Sequence, residues 1–459
     1  MQLILFCGGS DQIFWPLSND ARSKPFLPVL AGPRGEKESM IQRVVRQIQT
    51  SGLSAHLTIV GTIKQLDSIL SQLGESVDIV TEPEYRNTFP SIALASYHLS
   101  YTSRCSADEV VVVMPCDIYA DDTYSNTLST MARVVGEHKA DVVLMGIPPT
   151  SPSGKSGYIV PESDSTDHQT TEVLPVKEFT VNSDVGKTNR PQAEQAMRYG
   201  GVAAFRLGYL MGIAKKYVNG TSYEEVVSQY AEFPHISFEK AVLEGAQSMV
   251  VVPHMGIWKE LRDWNSLCEA LPGQYVGKVV AGQQTKNVHV VNELNLPIFV
   301  EGIKDAVVAV SADGIMIASK ESSGKIQDYV DRFLSRPMYE ERRWGTYRVL
   351  DAAAYSRGQE SLTKTITLQP GKNISYQRHH HRSEVWIIVD GNGEFVLDGK
   401  QKSVVPGDVL TIPSGFLHGI KAGKDPLTFI EVQMGTPLIE EDIERYAYQW
   451  KVWGSRVPM

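Results

Sequence analysis

The feature that most constrains this chain is the segment Gln377–Glu384, which reads Gln-Arg-His-His-His-Arg-Ser-Glu and is followed by His418. Gln377 and His379 are two residues apart, so both project from the same face of a β-strand. Glu384 has the opposite parity, which predicts a turn or bulge between His379 and Glu384. These spacings let two adjoining hairpins bring Gln377, His379, Glu384 and His418 together around one divalent ion.

The residue types in this segment favour a metal site over a histidine-rich surface. A carboxylate that points into a small barrel is costly unless it is paired or coordinated. Imidazole and oxygen donors hold zinc, iron, nickel or manganese without any thiolate. The glycine and proline spacing around the segment is similar to the two signature motifs of the cupin barrel; the residues concerned are Gly371, Gly391, Gly407, Pro413 and Gly415. A metal-free barrel and a surface histidine cluster are the alternatives.

Composition limits the class of protein and its partners. A chain of 459 residues is long enough for about three domains. The net charge of −9 argues against nucleic acid or a membrane surface as a partner. The four cysteines have no CxxC spacing, no apolar run approaches the roughly 18–20 residues of a membrane span, and the N-terminus lacks a basic leader. We therefore expect a cytoplasmic protein with reduced thiols.

The pattern along the chain predicts three domains. Residues 1–272 alternate apolar β runs with amphipathic helices, which indicates an α/β domain with a largely parallel sheet and ligands at the carboxyl ends of its strands. Residues 273–336 predict a small β connector, of which a partial β-helix is one form. Residues 337–459 predict an all-β barrel. Helices are predicted at Ile326–Leu334 and Ile439–Tyr448.

The motifs of the first domain resemble those of a known family. Gly8-Gly9-Ser10-x4-Trp15-Pro16-Leu17-Ser18 and Glu82-Pro83-x2-Arg86-Asn87-Thr88 are similar to segments of the bifunctional mannose-1-phosphate guanylyltransferase and type II mannose-6-phosphate isomerase family. The resemblance implies a nucleotidyltransferase-like, Rossmann-like domain with a mixed sheet. It also implies the following nucleotide- or sugar-binding residues: Gly8, Gly9, Ser10, Lys24, Glu82, Arg86, Asn87, Asp117, Gly157, Tyr158 and Glu260.

Four positions of the first domain depart from that family. Ile13 and Asn182 stand where the family has Arg and Lys, Asp11 adds an acid beside the phosphate loop, and Arg262 stands where the family has Gly. Nucleotidyl transfer needs cations to meet the negative charge that develops on phosphate. Because loss of one such group costs about 10²–10³ in rate, we expect guanylyltransfer to be weak in this chain. Lys24 and Asp117 remain, which allows residual ligand binding.

The barrel resembles the isomerase half of the same family over its full length. The matching segments include Arg343-Trp344-Gly345, Ile412-Pro413-x-Gly415-x2-His418 and Glu431-Val432-Gln433. The resemblance implies Gln377, His379, Glu384 and His418 as metal ligands and the interconversion of mannose 6-phosphate and fructose 6-phosphate through an enediol. Arg382, for substrate or phosphate, and Lys364 are assigned as catalytic residues on the same basis. His381 is the candidate base, because Glu384 is committed to the metal.

The resemblance also implies the cofactors and partners. A divalent metal is expected in the cupin barrel, with zinc as the first choice before manganese, cobalt, nickel and iron, and magnesium if the first domain is active. The ligands are hexose phosphates, with GTP or GDP-mannose as further candidates, and a homo-oligomer is allowed. Three functions stay open: a sugar-phosphate isomerase in GDP-mannose and polysaccharide precursor synthesis, an active mannose-1-phosphate guanylyltransferase, and a non-catalytic sugar-nucleotide-binding paralogue.

Overall fold

Short apolar runs form the strands of the first part of the chain, and amphipathic stretches form its helices. The computed structural model describes residues 1–8, 12–74, 76–148, 157–162, 173–181, 196–332, 336–356, 358–439, 442–448 and 450. The strands of the first part are β1 (Gln2–Phe6), β2 (Leu30–Ala31), β3 (Lys37–Glu38), β4 (His56–Thr62), β5 (Asp78–Glu82), β6 (Val110–Pro115), β7 (Ile118–Ala120), β8 (Val142–Ile147), β9 (Tyr158–Pro161), β10 (Leu174–Thr180), β11 (Met197–Arg206), β12 (Met249–Pro253) and β13 (Trp258–Glu260).

Helices cover this sheet on both sides. They are α1 (Met40–Thr50), α2 (Leu66–Leu73), α3 (Thr88–Tyr101), α4 (Tyr124–Gly136), α5 (Leu207–Ala214), α6 (Tyr223–Ser228) and α7 (Trp264–Ala270), with short helical turns at Gln12–Phe14, Lys24–Phe26, Ile63–Gln65, Tyr230–Glu232 and Glu239–Leu243. Helix α1 begins at a capping box in which Ser39 and Gln42 each accept the other's backbone N–H. Its predicted apolar stripe, which includes Ile41 and Ile48, is buried against the sheet.

The order of the main sheet brings the first domain's motifs to one edge. Among the described residues, nine strands form a sheet in the order β5-β4-β1-β6-β11-β8-β12-β10-β9. Strand β1 runs parallel to β4 and β6, whereas β11 runs antiparallel to β6 and β8. The mixed sheet of the predicted fold class is therefore confirmed. Because Phe6 pairs with Pro115, Gly8 and Asp117 both follow the carboxyl ends of neighbouring strands.

The connector consists of two stacks of short strands. Its strands are β14 (Tyr275–Val276), β15 (Val279–Ala281), β16 (Lys286–Asn292), β17 (Ile298–Val300), β18 (Lys304–Ser311) and β19 (Gly314–Ser319). The parallel pairs β14–β16–β18 and β15–β17 give the arrangement of a short β-helix. The helix predicted at Ile326–Leu334 is wrong, because the described part of that segment forms 3₁₀ turns at Ser323–Asp328 and Val330–Arg332. Tyr329 separates the two turns, and each turn is too short to form the continuous apolar face of an amphipathic α-helix.

The last part of the chain is all β, as predicted. Its strands are β20 (Tyr339–Arg342), β21 (Gly345–Ala354), β22 (Glu360–Leu368), β23 (Tyr376–Arg378), β24 (Arg382–Asp390), β25 (Gly393–Leu397), β26 (Lys400–Val404), β27 (Val409–Ile412), β28 (His418–Ala422), β29 (Leu427–Gly435) and β30 (Glu444–Ala447). Within the described ranges they form two sheets, ordered β20-β21-β22-β29-β24-β27 and β26-β25-β28-β23-β30. Trp386, Phe395 and Phe429 are buried in the core of this barrel.

The helix predicted at Ile439–Tyr448 is also wrong. Strand β30 pairs with β23, with Arg445 opposite Gln377. Pairing with an exposed sheet edge outweighs local helix propensity here, because the edge of β23 would otherwise leave its backbone groups without partners. Strand β30 thereby covers the strand that begins the histidine segment.

The cysteines agree with the expectation of reduced thiols. Cys7, Cys116 and Cys268 are buried, Cys105 is half-buried, and all four are free thiols. Within the part of the chain that the structure describes, no helix is both long enough and apolar enough to cross a membrane.

The turn between β24 and β25 allows a test of how closely the barrel backbone packs at Gly391. Gly391 and Gly399 both have positive φ, but a side chain at Gly391 would collide with the carbonyl oxygen of Pro426, whereas Gly399 faces open space. Gly391→Ala should lower the free energy of unfolding by the roughly 1–2 kcal/mol of left-handed strain plus about 1–3 kcal/mol of overpacking. Gly399→Ala should cost only the strain. Denaturant titration of both variants measures this difference, and equal losses would contradict the close approach of Gly391 to Pro426.

Candidate metal centre and nucleotide-binding edge

Three strands of the barrel position the predicted metal ligands. Gln377 on β23 pairs directly with His418 on β28. Residues 379–381 form the predicted connection between β23 and β24, and β24 then alternates so that Arg382, Glu384 and Trp386 point inward. The structure therefore brings the two distant stretches of sequence to one place in the barrel.

His379, Glu384 and His418 form a buried cluster. Their side chains are at most 2% exposed, and the potential ligand atoms all lie within 4.8 Å of one another. His379 Nε2 is 3.3 Å from Glu384 Oε1, and His418 Nε2 is 3.5 Å from Glu384 Oε2. Two nitrogens and a carboxylate at these separations are a donor set for a divalent transition metal.

Hydrogen bonds on the far side of each imidazole fix the tautomer that a metal needs. His379 Nδ1 donates to the carbonyl oxygen of Asp442 at 2.5 Å, and His418 Nδ1 donates to that of Phe416 at 3.0 Å. Each ring therefore directs the lone pair of Nε2 toward Glu384. The buried Nε2 of His418 has no hydrogen-bond partner among the described residues. A buried acceptor without a donor is costly, and a bound cation would satisfy it, so these residues fit a metal.

The surroundings of the cluster favour a neutral His379 and an ionised Glu384. Burial lowers the pKa of His379 to about 4, with Arg382 acting in the same direction and Glu384 opposing it. The ring is therefore neutral at pH 7. Burial alone would raise the pKa of Glu384, but His418, His379 and Arg382 outweigh it and hold the pKa well below its ordinary value. A neutral imidazole and a carboxylate are the forms that bind metal.

Arg382 lies against the cluster and contacts two of its members. Its Nε donates to Glu384 Oε1 at 2.9 Å, its Nη2 donates to His379 Nε2 at 3.2 Å, and its Nη1 donates to the carbonyl oxygen of Ile439 at 3.3 Å. A metal at this position would take over the lone pair of His379 that Nη2 now uses. The guanidinium would then be available for a substrate anion at the same site.

Gln377 adjoins the cluster through its amide group. Its Nε2 lies 3.4 Å from His379 Nε2, and its Oε1 accepts a hydrogen bond of 2.5 Å from Ser375. Rotation of the amide by 180° would exchange the two atoms and present the oxygen to the cluster. The structure thus brings the fourth predicted ligand beside the other three.

The structure separates the predicted base from the cluster. His381 is exposed, and its backbone N–H donates to Asp442 Oδ2 at 3.0 Å. Residue 381 precedes the inward-facing Arg382, so strand alternation directs the two side chains to opposite faces. Lys364, in contrast, is buried on β22, where it lies opposite Glu431 and 4.4 Å from the centre of the Tyr347 ring.

Sequence reasoning assigned no role to a buried polar row beside the cluster. The Trp386 indole N–H is shared between Glu384 Oε2 at 3.1 Å and Glu431 Oε1 at 3.2 Å, and Gln433 Nε2 donates to Glu431 Oε2 at 2.8 Å. Glu431 and Gln433 occupy the inward parity of β29, which begins with Leu427 and Phe429. The sequence does contain a signal for Glu431, because this carboxylate occupies a strand position that alternation assigns to the apolar, inward face.

The carboxyl edge of the main sheet gathers two of the acids predicted for the first domain, Asp117 and Glu260, and each is already paired with a basic side chain. Glu260 pairs with Ile118 across β13 and β7, so it lies next to Asp117 in space. Lys24 forms an ion pair with Asp117, and Arg262, which replaces the family's Gly, forms one with Glu260. The two carboxylates that would hold magnesium therefore have internal cations as partners.

The second predicted motif of this domain shapes the backbone at the start of α3. The Glu82 carboxylate accepts hydrogen bonds from Ser91 at 2.6 Å and Tyr230 at 2.7 Å, and burial raises its pKa. Arg86 donates to the carbonyl oxygen of Phe233 at 2.8 Å and pairs with the exposed Glu84. Asn87 Oδ1 accepts the N–H of Thr88. In this arrangement Glu82 faces the protein interior.

The glycines of the first domain lie at turns. Gly8 follows β1 with φ +67°, and its carbonyl oxygen accepts from Gln65 at 3.4 Å. Gly157 precedes Tyr158 at the start of β9, and a side chain there would press on the Phe179 ring.

Gly9, Ser10, Asp11 and Asn182 lie outside the described residues. Ile13 is buried in an apolar cluster with Phe14, Leu17 and Trp264.

Comparisons with known proteins match both parts of the chain. Residues 2–201 match the model of the nucleotidyl transferase family, and residues 335–448 match that of the mannose-6-phosphate isomerase C-terminal domain. The chain therefore combines a nucleotidyl transferase domain with a mannose-6-phosphate isomerase C-terminal domain, the two parts that the motifs predicted.

Individual relatives are similar to this chain along their whole length. The alginate biosynthesis protein AlgA of Pseudomonas putida is 28% identical over 96% of this chain and 95% of its own. The mannose-1-phosphate guanylyltransferase of Escherichia coli K12 is 28% identical over 97% of each chain. A solved structure described as a mannose-1-phosphate geranyltransferase from Thermus thermophilus superposes with a TM-score of 0.57 and 23% identity over 72% of this chain and 98% of that one, which shows a shared fold.

Replacement of a cluster histidine tests the metal centre. His379→Ala should weaken zinc binding by more than about 100-fold, because loss of a direct ligand costs at least as much as loss of its supporting hydrogen bond. His380→Ala is the matched control, since His380 is adjacent but exposed and contacts Glu444. Isothermal titration with zinc and elemental analysis of the purified proteins measure the effect. Equal zinc affinity in the two variants would exclude His379 as a ligand.

Proposed function

We propose that the barrel interconverts mannose 6-phosphate and fructose 6-phosphate. The observation that carries this proposal is the buried cluster of His379, Glu384 and His418, with both imidazoles oriented as Nε2 donors and Arg382 beside them. The match to the mannose-6-phosphate isomerase C-terminal domain supports the same substrate class. Zinc is the proposed metal, because two imidazoles, a carboxylate and an amide oxygen suit its coordination.

Different residues of the barrel have different proposed roles in isomerisation. A metal bound at the cluster supplies Lewis acidity that favours the enediol form of the sugar. Arg382 orients the substrate and offers two or more N–H donors to its anionic group. Lys364 lies opposite Glu431 and places a second basic side chain in the barrel interior. The buried strands around these residues exclude bulk water.

Glu431 is the proposed base that moves the proton between C2 and C1. It is a buried carboxylate that shares the Trp386 N–H with Glu384, so it lies next to the cluster. His381, the base expected from the sequence, is exposed. A general base has to lie within hydrogen-bond reach of the proton that it removes, and Glu431 meets that requirement better because it faces the barrel interior.

The first domain is proposed to bind a sugar nucleotide with little turnover. Asp117 and Glu260 lie together at the sheet edge, but Lys24 and Arg262 occupy them. Ile13 belongs to the apolar core and offers no charge to a triphosphate. Relatives named for mannose-1-phosphate guanylyltransfer, alginate biosynthesis and xanthan biosynthesis support a place in GDP-mannose and polysaccharide precursor supply. The domain division 1–272, 273–336 and 337–459 remains part of this proposal.

The isomerase proposal is tested by a coupled assay that follows fructose 6-phosphate formation from mannose 6-phosphate. Glu431→Gln should lower kcat by about 10²–10⁴, the usual worth of a general base, while bound zinc stays constant. Glu394→Gln is the control, because Glu394 is exposed on β25 in the other sheet of the barrel. Removal of metal with a chelator should abolish turnover in both proteins. No detectable isomerase activity in the zinc-loaded wild type would overturn the proposed function, and an unchanged kcat in Glu431→Gln would overturn the role of Glu431.

The proposal for the first domain is tested by pyrophosphate release from GTP and mannose 1-phosphate, with the Escherichia coli relative assayed in parallel. The rate of this chain should be lower by at least about 10²-fold, because cations that stabilise the developing charge are missing. Turnover equal to that of the relative would show that the internal ion pairs do not block the site.

A further inference from the structure

A concave pocket lies where the first domain, the connector and the barrel meet. Its volume is about 370 Å³, and its lining includes Arg22 and Lys37 from the first domain, Lys278 and Glu293 from the connector, and Arg348 from the barrel. None of the described site residues discussed above lines it. The pocket is therefore separate from both the metal centre and the nucleotide-binding edge.

The lining carries an excess of positive charge. Arg22 and Glu293 neutralise each other through two hydrogen bonds, of 3.0 and 3.1 Å. Lys37, Lys278 and Arg348 have no ion-pair partner within the described ranges. Three uncompensated cations around one cavity contrast with the net charge of −9 for the whole chain. A concave surface that concentrates one sign of charge attracts a counter-ion of the opposite sign.

The walls of the pocket are fixed by buried interactions. Asn292 Nδ2 donates to the carbonyl oxygens of Lys278 at 3.1 Å and Leu296 at 2.7 Å, and its Oδ1 accepts from the N–H of Leu294 at 3.0 Å. Gly277 has φ +90°, and a side chain there would collide with the carbonyl oxygen of Asn292. The connector backbone is therefore held in place at the point where Lys278 enters the pocket.

The opposite wall is fixed by the pair of Arg22 and Glu293. The Arg22 guanidinium lies 5.1 Å from the centre of the Tyr339 ring, so the first domain also contacts the start of the barrel. Burial by itself would lower the pKa of Arg22, but Glu293 outweighs it and raises the pKa above its ordinary value. Because Arg22 is buried and its charge is paired with Glu293, the cations available to a ligand are those of Lys37, Lys278 and Arg348.

We propose that this junction pocket binds a small organic phosphate. The volume lies at the lower end of the roughly 300–1,000 Å³ typical of ligand sites, which suits a hexose phosphate or a nucleoside diphosphate. Lysine and arginine are the side chains that proteins use for phosphate groups. Since the three cations come from three parts of the chain, the ligand links these parts and stabilises their mutual arrangement. This inference is independent of catalysis in the barrel.

Isothermal titration of the full-length protein tests the pocket with three probes: mannose 6-phosphate, GDP and inorganic phosphate. The variant Lys278→Ala/Arg348→Ala removes two cations from two walls, and both side chains are at least partly exposed, so the fold should persist. Lys304→Ala is the matched control, because Lys304 is an exposed lysine of the same connector on β18. Circular dichroism and the thermal midpoint check that each variant is folded.

We expect an organic phosphate to bind the wild type and the Lys304→Ala variant equally, and the double variant at least tenfold more weakly. The His379→Ala variant should retain this binding, which separates the pocket from the metal centre. Whichever of mannose 6-phosphate and GDP binds more tightly identifies the class of organic phosphate that the pocket binds. Unchanged affinity in the double variant would overturn the proposal. Equal affinity for inorganic phosphate would reduce the pocket to a general anion patch and would overturn it as well.

Discussion

The barrel depends on the burial of one carboxylate, that of Glu384. Its side chain is 1% exposed, and a charge in that position is tolerated only if donors or cations surround it. Arg382 and Trp386 donate to its two oxygens, while His379 and His418 flank it. These four partners come from separate positions on the strands, so the register of β23, β24 and β28 has to be correct for Glu384 to be buried at all.

The same constraint extends to the polar row behind the cluster. Because Trp386 on β24 shares its N–H between Glu384 and Glu431, a shift of β24 against β29 would remove this donor from Glu431. Gln433 completes the row from β29. These hydrogen bonds restrain the part of the barrel interior where the proposed chemistry would take place.

The alternation of side chains along β-strands explains which parts of this arrangement could be predicted from the sequence. The spacings of Gln377, His379, Glu384 and His418 and the surrounding glycines predicted that these residues come together, because they follow strand alternation and turn chemistry. The fold class was predicted from the pattern of strands and helices together with the family motifs. Glu431 was not proposed from the sequence, because its partner Trp386 lies 45 positions away. Strand β30 was mistaken for a helix because its pairing with β23 is a tertiary contact that local propensity does not report. The ion pair of Lys24 with Asp117 joins two segments that meet only after folding, whereas Arg262 pairs with Glu260, two residues away.

The most direct test of the account is the position of a bound metal, measured by anomalous diffraction from crystals grown with zinc. The account predicts one strong peak about 2.0–2.2 Å from His379 Nε2, His418 Nε2 and a Glu384 oxygen, with the Arg382 guanidinium moved away from His379. A peak elsewhere in the molecule, or an Arg382 that still donates to His379 in the presence of excess zinc, would contradict it.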